Sequence, residues 1–379
     1  MINWLEEARG IADKLYDIRR DFHRHPETGD EEVRTGNRIA EIMEGLGYTV
    51  TRPMGTSVVA ELSGGSGKAV GLRADIDALP VTELTGSEFA SETPGKMHAC
   101  GHDMHMTGAI GAAMLLAAHK EELPGTVRFL FQPNEEQDGG AQRMIDAGAA
   151  DGLSAVFGAH VDPALPAGVI GIRYGAFYAA SATYDIYVHG VGTHAAKPQF
   201  GKNPITAGAA IALAIKDLWQ SLGDQGVVSV TRFEAGTAYN IIPDDAHLAG
   251  TMRIFGLPQR AALAQKLTET AQRVAAEYGC TAEVAIHPTY GGIINTDAET
   301  ALAEETAIET LGEASVERIG STMISEDVGC FIDKCTGSFY HVGAGCELPL
   351  HSPRFLPKEE ALVPLSAVHA AILWKAMKR

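Results

Sequence analysis

The segment Met97–His105 concentrates side chains that can bind metal. Within nine residues it carries three imidazoles, a thiol and a carboxylate, from His98, Cys100, His102, Asp103 and His105. Thiolate and imidazole together suit zinc or another late transition metal better than magnesium or calcium. The structural alternative is a Cys-x-His pair that simply begins a helix with a buried thiol. Matching partners elsewhere in the chain favour the metal site.

Further ligand types follow three predicted strands. They are Asp75 and Asp77 after the strand ending at Arg73, Glu135 and Glu136 after the strand ending at Phe131, and His160 after the strand Ala155–Gly158. Because parallel strands place their carboxyl ends at one edge of a sheet, we expect these side chains to meet there. One late imidazole, His351, lies in the turn-rich segment Pro349–Pro353.

A catalytic centre with two metal ions needs a shared anionic ligand, terminal ligands for each ion and a base. Cys100 can be shared as a thiolate, because coordination removes the thiol proton. His102 can reach one of the same ions. Of the adjacent pair Glu135 and Glu136, one can bind metal while the other acts as general base on a water molecule.

Three residues complete the predicted centre. His160 and His351 are the remaining imidazole ligands. Asp77 is placed to accept a hydrogen bond from a ligand imidazole and so to orient it. His98 and His105 are expected to orient ligands or to line the site.

Other polar residues have simpler interpretations. His23 is expected to be structural or solvated, and the charged stretch Asp21–Glu32 is expected to be a solvated face. Ser325–Asp327 fits either the start of a helix or the edge of a cleft.

The first part of the chain alternates helices with short apolar strands. The predicted helices are Glu6–His25, Thr35–Leu46, Asp103–Lys120 and Ala141–Ala147, and the predicted strands are Ser57–Leu62, Ala69–Arg73, Thr126–Phe131 and Ala155–Gly158. Helices between strands imply parallel pairing with right-handed crossovers. The predicted class is therefore α/β, with a mostly parallel sheet flanked by helices.

Between residues 180 and 291 the order changes to β-α-β-β-α-β. The predicted strands are Thr183–Val188, Gly226–Phe233, His247–Ile254 and Thr281–Ile286, and the predicted helices are Pro204–Leu222 and Pro258–Tyr278. This order is typical of a ferredoxin-like α+β unit. We therefore predict a catalytic metal-binding domain from residues 1–179 and 292–379, with an inserted lid and dimerisation domain at 180–291.

The composition limits the classes of binding partner and the cellular locations that we expect for the protein. The 379 residues carry 30 basic and 48 acidic side chains, a net charge of −18, which argues against nucleic acid or an anionic membrane as partner. The N-terminus lacks the pattern of a secretory signal, and no apolar run reaches membrane-spanning length. Five cysteines, few and odd in number, predict free thiols and a cytoplasmic location.

The chain resembles the aminoacylase and carboxypeptidase metallopeptidase family, within it the amidohydrolase branch of hippurate hydrolases, auxin-conjugate hydrolases and bacterial N-acyl-amino-acid deacylases. The resemblance runs from about His23 to Phe355. It is carried by Arg73–Pro80, Met97–His105, Phe131–Glu136, Thr193–Pro198, Asn240–Pro243, Ser325–Asp327 and Leu350–Pro353. Much of the wider family has a ligand histidine where this chain has Asp75, and the branch uses His102 instead.

The resemblance implies a role for each site residue. Cys100 is the bridging ligand, and His102, Glu136, His160 and His351 are the other metal ligands. Glu135 is the general base. His194 is the lid histidine that polarises the scissile carbonyl, often in a dimer partner's site, while Asn240 and Arg253 hold the substrate carboxylate.

The sequence thus predicts a cytoplasmic amidohydrolase with two divalent metal ions per subunit, zinc first, with manganese, nickel or cobalt as alternatives. Its substrate would be a small N-acyl amino acid, N-acetyl or N-aroyl, cleaved to a free amino acid and a carboxylic acid. The rival functions are a dipeptidase or carboxypeptidase and a non-catalytic metal- or peptide-binding protein. The resemblance implies a homodimer or homotetramer through the lid domain. Acyl group, amino acid, metal and oligomeric state stay open.

Overall fold

The computed structural model describes residues 2–379, which divide into two compact units. The first comprises the chain up to Gly175 together with Asn295–Gly320 and Asp327–Arg379, and the second comprises Ala176–Ile294 and Ser321–Glu326. From the sequence we placed the inserted domain at 180–291, and its role as a lid and dimerisation domain stays a prediction.

The elements alternate along most of the chain. The α-helices are α1 (Trp4–Gly10), α2 (Ala12–Arg24), α3 (Val33–Gly45), α4 (His102–Ala118), α5 (Ala141–Asp146), α6 (Pro204–Leu222), α7 (Leu257–Glu277), α8 (Asp297–Leu311), α9 (Gly329–Lys334) and α10 (Leu362–Ala376). The strands are β1 (Thr49–Thr51), β2 (Val58–Ser63), β3 (Ala69–Asp75), β4 (Thr126–Gln132), β5 (Ala155–Asp162), β6 (Ile170–Ile172), β7 (Gly175–Tyr178), β8 (Ala180–His189), β9 (Thr193–His194), β10 (Gly226–Ala235), β11 (Ile241–Ile242), β12 (Asp245–Ile254), β13 (Thr281–Pro288), β14 (Ile293–Asn295), β15 (Val316–Arg318) and β16 (Gly337–Gly343). Among residues 2–379, every helix is too short or too polar to cross a membrane.

An eight-stranded sheet forms the centre of the first unit, in the order β1-β2-β4-β3-β5-β16-β6-β15. The central strands β4, β3, β5 and β16 are mutually parallel. Strand β2 is an exception within this mostly parallel sheet and pairs antiparallel with β4. The short loop 64–68 between β2 and β3 has no room for a crossover, so the two strands run in opposite directions.

The parallel strands bring the predicted ligands to one edge of this sheet. Strands β3 and β5 are longer than predicted, so Asp75 and His160 lie inside them and not after them. Helix α4 begins at His102 and is buried on almost all sides, which explains its continuous apolar sequence.

The predicted single helix Glu6–His25 is two helices. The Asn3 side chain accepts a hydrogen bond from the Glu6 amide at 3.2 Å and caps α1, which ends at Gly10. Helix α2 then begins at Ala12 and buries Leu15 and Phe22.

The second unit has the ferredoxin-like order predicted from its sequence. Its four-stranded antiparallel sheet runs β10-β12-β8-β13. Alternate residues of β8, from Ala182 to Val188, are buried in one core with apolar side chains of α6 and α7. The predicted fold class, a mostly parallel α/β sheet flanked by helices with an inserted ferredoxin-like α+β unit, is confirmed.

Candidate metal centre

The Cys100 thiol belongs to two groups of side chains that could each hold a metal ion. One group joins it with His102 and His160, and the other joins it with Glu136 and His351. Within each group the ligand atoms lie within 4.8 Å of one another. Cys100 Sγ lies 3.4 Å from His160 Nε2. Two sets of donors with one shared thiol match the needs of two ions bridged by a thiolate.

Two unusual backbone conformations bring these ligands together. Gly101, between Cys100 and His102, has φ +84°, and a Cβ there would lie 2.5 Å from Val161 Cγ2. His351 has φ +65°, and its amide donates to the Ala99 carbonyl at 2.8 Å. The loop of His351 is thereby fastened to the segment that carries Cys100.

The two buried imidazoles predicted to bind metal are oriented through their Nδ1 atoms. His102 Nδ1 lies 2.8 Å from the Asp77 carbonyl and 3.2 Å from Asp77 Oδ1. His160 Nδ1 donates to the Val161 carbonyl at 2.8 Å. Asp77 also accepts the Glu136 amide on Oδ2 at 3.0 Å. Asp77 therefore joins α4 to the turn after β4 in the manner predicted for an orienting residue.

The electrostatics of the cluster fit a cation. Burial lowers the pKa of His102, but the carboxylates of Asp75, Asp77 and Glu136 outweigh it and raise that pKa to about 10. Burial, with Glu136 and Glu135 nearby, raises the pKa of the Cys100 thiol.

His102 Nε2 is buried without a hydrogen-bond partner in the described part of the chain. Its nearest carboxylate oxygens are Asp75 Oδ2 at 3.7 Å and Glu136 Oε1 at 3.9 Å. The neighbouring carboxylates favour the protonated forms of His102 and Cys100, and a divalent cation bound there would replace these protons. The donor set therefore fits a metal ion.

A buried network behind the ligands was not predicted in detail. Asp75 accepts hydrogen bonds from His105 Nδ1 and Arg73 Nη1, both at 2.6 Å. His105 Nε2 in turn accepts the Val161 amide at 2.9 Å, beside the predicted ligand His160. An arginine and an aspartate inside one apolar strand were the signal that could have revealed this network.

Asp327 does not cap its own helix, because the N-cap of α9 is Val328, and a role at the edge of the cleft stays a prediction. Asp327 is buried and accepts the Gly140 and Ala141 amides, each at 2.9 Å, at the start of α5. It also accepts from Arg73 Nη2 at 2.8 Å, which extends the network of Asp75.

His23 is buried, so the solvated alternative for it is wrong and the structural one holds. Its Nδ1 lies 2.8 Å from Asp103 Oδ2, and its Nε2 lies 3.2 Å from Glu83 Oε1. Arg19 donates to the same Asp103 oxygen at 2.9 Å. Buried charges therefore join α2 to α4 close to the segment Met97–His105.

The three predicted substrate-contacting residues belong to the second unit, and all are exposed. His194 lies on β9, opposite Ile241 of β11, and the Asn240 carbonyl accepts the Ala195 amide at 2.9 Å. Arg253 lies on β12 and donates to the Met323 carbonyl at 3.0 Å. The structure brings His194 and Asn240 onto one ribbon, and the roles of all three stay predictions.

Comparison with known proteins places this centre in a family. Residues 71–375 match the model described as peptidase family M20/M25/M40. The chain belongs to this family, and it is a hydrolase of amide bonds, as predicted.

Relatives match along nearly the whole chain. An N-acetylcysteine deacetylase of Bacillus subtilis (strain 168) is 38% identical over 95% of this chain and 96% of its own. Thermostable carboxypeptidase 1 of Saccharolobus solfataricus is 35% identical over 97% of each chain. A solved Bacillus subtilis protein, described as a dinuclear metal binding peptidase from the M20 family, is 35% identical, with a TM-score of 0.89 over 98% of this chain and 99% of its own. The resemblance to the amidohydrolase branch is confirmed.

Proposed function

We propose that the protein hydrolyses N-acyl amino acids, N-acetyl or N-aroyl, to a free amino acid and a carboxylic acid. The observation that carries this proposal is the pair of donor groups sharing Cys100, with the Glu135 carboxylate beside them. The similarity to a protein named N-acetylcysteine deacetylase supports an acylated amino acid as substrate.

Two divalent ions per subunit are part of the proposal. Cys100 would bridge them, with His102 and His160 on one side and Glu136 and His351 on the other. A relative described as dinuclear supports the number of ions. Zinc suits the thiolate and imidazole donors best, and manganese, nickel and cobalt are the alternatives.

Each protein group has a defined task in this reaction. When bound, the metal ions supply Lewis acidity to the acyl carbonyl and to a water molecule. Glu135, which is 6% exposed and near both His102 and Glu136, takes the water proton and passes it to the leaving amine. Asp77 holds the His102 ring and the Glu136 amide in place.

Residues of the second unit complete the proposal. His194 would donate a hydrogen bond to the developing oxyanion, an interaction typically worth about 3 kcal/mol. Asn240 and Arg253 would bind the free carboxylate of the substrate, because an arginine can pair with it through two parallel hydrogen bonds. We also propose a cytoplasmic homodimer or homotetramer formed through this unit.

The first test is a substrate panel with a base variant. The protein reconstituted separately with zinc, manganese, cobalt or nickel is assayed on N-acetyl and N-benzoyl amino acids. Glu135→Gln keeps the size of the side chain and removes the base, so kcat should fall by about 100-fold or more while metal content stays at two ions per subunit. Elemental analysis measures the metal. Full activity of Glu135→Gln would exclude this residue as the base.

A second candidate, a carboxypeptidase or dipeptidase, is favoured by the relative named thermostable carboxypeptidase 1. The same panel decides between the two functions when it includes dipeptides and N-blocked dipeptides. The proposed function requires a higher kcat/KM for N-acyl amino acids than for peptides with the same C-terminal residue. The reverse order would establish the peptidase.

A further inference from the structure

We propose that Glu32 is a positioning residue for the general base, because its carboxylate holds the turn that presents Glu135. The inference rests on the role proposed for Glu135. Glu32 lies directly before α3, far from the ligand motifs in sequence, and its side chain is fully buried. The stretch Asp21–Glu32 was interpreted from the sequence as a solvated face, and for Glu32 that interpretation is wrong.

The turn after β4 is held on both sides of the base. Glu32 Oε1 accepts the Asn134 amide at 2.9 Å, and Asp77 Oδ2 accepts the Glu136 amide at 3.0 Å. The two amides that flank Glu135 therefore each donate to a buried carboxylate. A carboxylate accepting a backbone N–H makes a stronger hydrogen bond than a neutral acceptor, so both ends of the turn are fixed.

The conformation of Asn134 needs such support. Its φ is +56°, in the left-handed region that is unfavourable for most residues with a side chain. Its Nδ2 donates to Asp30 Oδ2 at 2.8 Å, and Arg143 pairs with both oxygens of the same carboxylate. A Cβ on Gly29 would lie 2.2 Å from Asn134 Oδ1, so the Asn134 side chain packs directly against the backbone of Gly29. The turn that carries the base is thus strained and held in place by its surroundings.

Glu32 is itself held by a neighbour on another loop. Thr56 Oγ1 donates to Glu32 Oε2 at 2.7 Å. Burial, with Asp77 nearby, raises the pKa of Glu32 to about 7 despite the hydrogen bonds it accepts. A buried carboxyl group with a raised pKa is unfavourable for folding when it is ionised. An apolar side chain at this position would avoid this cost. A carboxyl group here is therefore explained by the turn that it holds.

The test compares variants of Glu32 with a matched control in the reconstituted enzyme. Glu32→Ala removes the acceptor of the Asn134 amide, whereas Glu32→Gln keeps an oxygen acceptor of the same reach. Glu31→Ala changes the preceding residue, whose exposed carboxylate pairs with Lys96 at 2.6 Å. We measure kcat, KM, metal content and thermal unfolding for each variant on the best N-acyl amino acid of the panel. If Glu32→Ala is not recovered folded, Glu32→Asp, which withdraws the oxygens by one methylene, takes its place.

The expected result is a split between kcat and KM. Glu32→Ala should lower kcat by about 100-fold, as for a catalytic group displaced by about an ångström, with KM nearly unchanged and two ions per subunit. Glu32→Gln should recover kcat to within about threefold of the unmodified protein, because a neutral acceptor still fixes the amide. Glu31→Ala should match the unmodified protein.

Three outcomes would overturn the inference. They are a kcat for Glu32→Ala near that of Glu31→Ala, an equal loss in Glu32→Ala and Glu32→Gln, and loss of metal from Glu32→Ala. Glu135→Gln is measured in parallel. Full activity of that variant overturns the proposed base and the inference together, whereas an inactive Glu135→Gln beside a fully active Glu32→Ala overturns the inference alone.

Discussion

The buried imidazoles near Cys100 are ordered because each ring already uses one nitrogen. His102 is held through Asp77 and His160 through its neighbour's carbonyl, so both rings keep Nε2 for the cluster. His105 uses both nitrogens, one toward Asp75 and one on the Val161 amide, so we expect it to support the predicted ligands without binding metal itself. The choice among the histidines of the motif therefore follows from hydrogen bonds to the second nitrogen of each ring.

His23 makes stability depend on pH. Burial lowers the pKa of this imidazole, but Asp103 and Glu83 outweigh it and raise the pKa to about 9. The folded protein thus binds the proton more tightly than the unfolded chain does. The stabilisation, on the order of 3 kcal/mol, is complete below about pH 6.5 and is lost as pH rises through about 9.

We therefore expect the difference in unfolding free energy between the unmodified protein and His23→Gln to be large at pH 6 and small at pH 9.5. Urea unfolding at several pH values measures it. His25→Gln, at a half-exposed neighbour, is measured as the control. A constant difference across this range would mean that His23 contributes by packing alone.

These residue contacts show where prediction from sequence ends. The ligand types at strand ends could be predicted, because sheet topology brings them together regardless of detail. The partner of His23 is Asp103, 80 residues away, and no local pattern encodes that contact. Glu32 likewise looked like one more charge on a solvated face until the fold placed Asn134 and Thr56 against it.

At the scale of elements, local signals fixed the helix bounds better than the strand pairing. Helix α6 spans the predicted Pro204–Leu222, because Asn203 caps it, Pro204 starts it and Gly223 ends it. The antiparallel pairing of β2 with β4 depends on which strand lies between β2 and β3, and the sequence gives no sign of that order.

The start of α4 depends on one glycine. Gly101→Ala should lower the free energy of unfolding by about 2 kcal/mol or more, because the left-handed backbone and the contact with Val161 both oppose a Cβ. We also expect fewer than two metal ions per subunit, because Cys100 and His102 flank this residue. Chemical denaturation and elemental analysis measure the two effects.

Gly47→Ala is the matched control for this prediction. Its φ is +88°, its hydrogen bonds after α3 are those of a left-handed residue that ends a helix, and a Cβ there would meet nothing within 4 Å. It isolates the cost of the backbone conformation and should keep both ions. Equal destabilisation by the two substitutions, with metal retained in both, would show that the contact with Val161 is unimportant.

At the scale of the whole molecule, the proposed homodimer raises the question of which subunit's site His194 would serve. The side chain is exposed on β9, so His194→Ala should leave stability and metal content unchanged while lowering kcat. If His194 acts in the partner's site, mixing His194→Ala with Glu135→Gln subunits should restore about a quarter of full activity, because half of the dimers are mixed and each has one complete site.

Activity of the mixture is measured after subunit exchange, with each variant alone as the control. No recovery after complete exchange would mean that His194 acts within its own subunit. An unchanged kcat for His194→Ala alone would remove it from the reaction.

The tight fit between Gly29 and Asn134 has an evolutionary consequence. A methyl group on residue 29 would overlap the Asn134 side-chain oxygen, so the amino acids at these two positions cannot vary independently. A lineage that first acquires alanine at position 29 passes through an intermediate in which the Asn134 side chain has to move, whereas a lineage that first acquires a shorter residue at position 134 avoids this overlap. Epistasis of this kind makes the order of substitutions matter, and it should appear as coupled variation of these two sites among the descendants of a common ancestor.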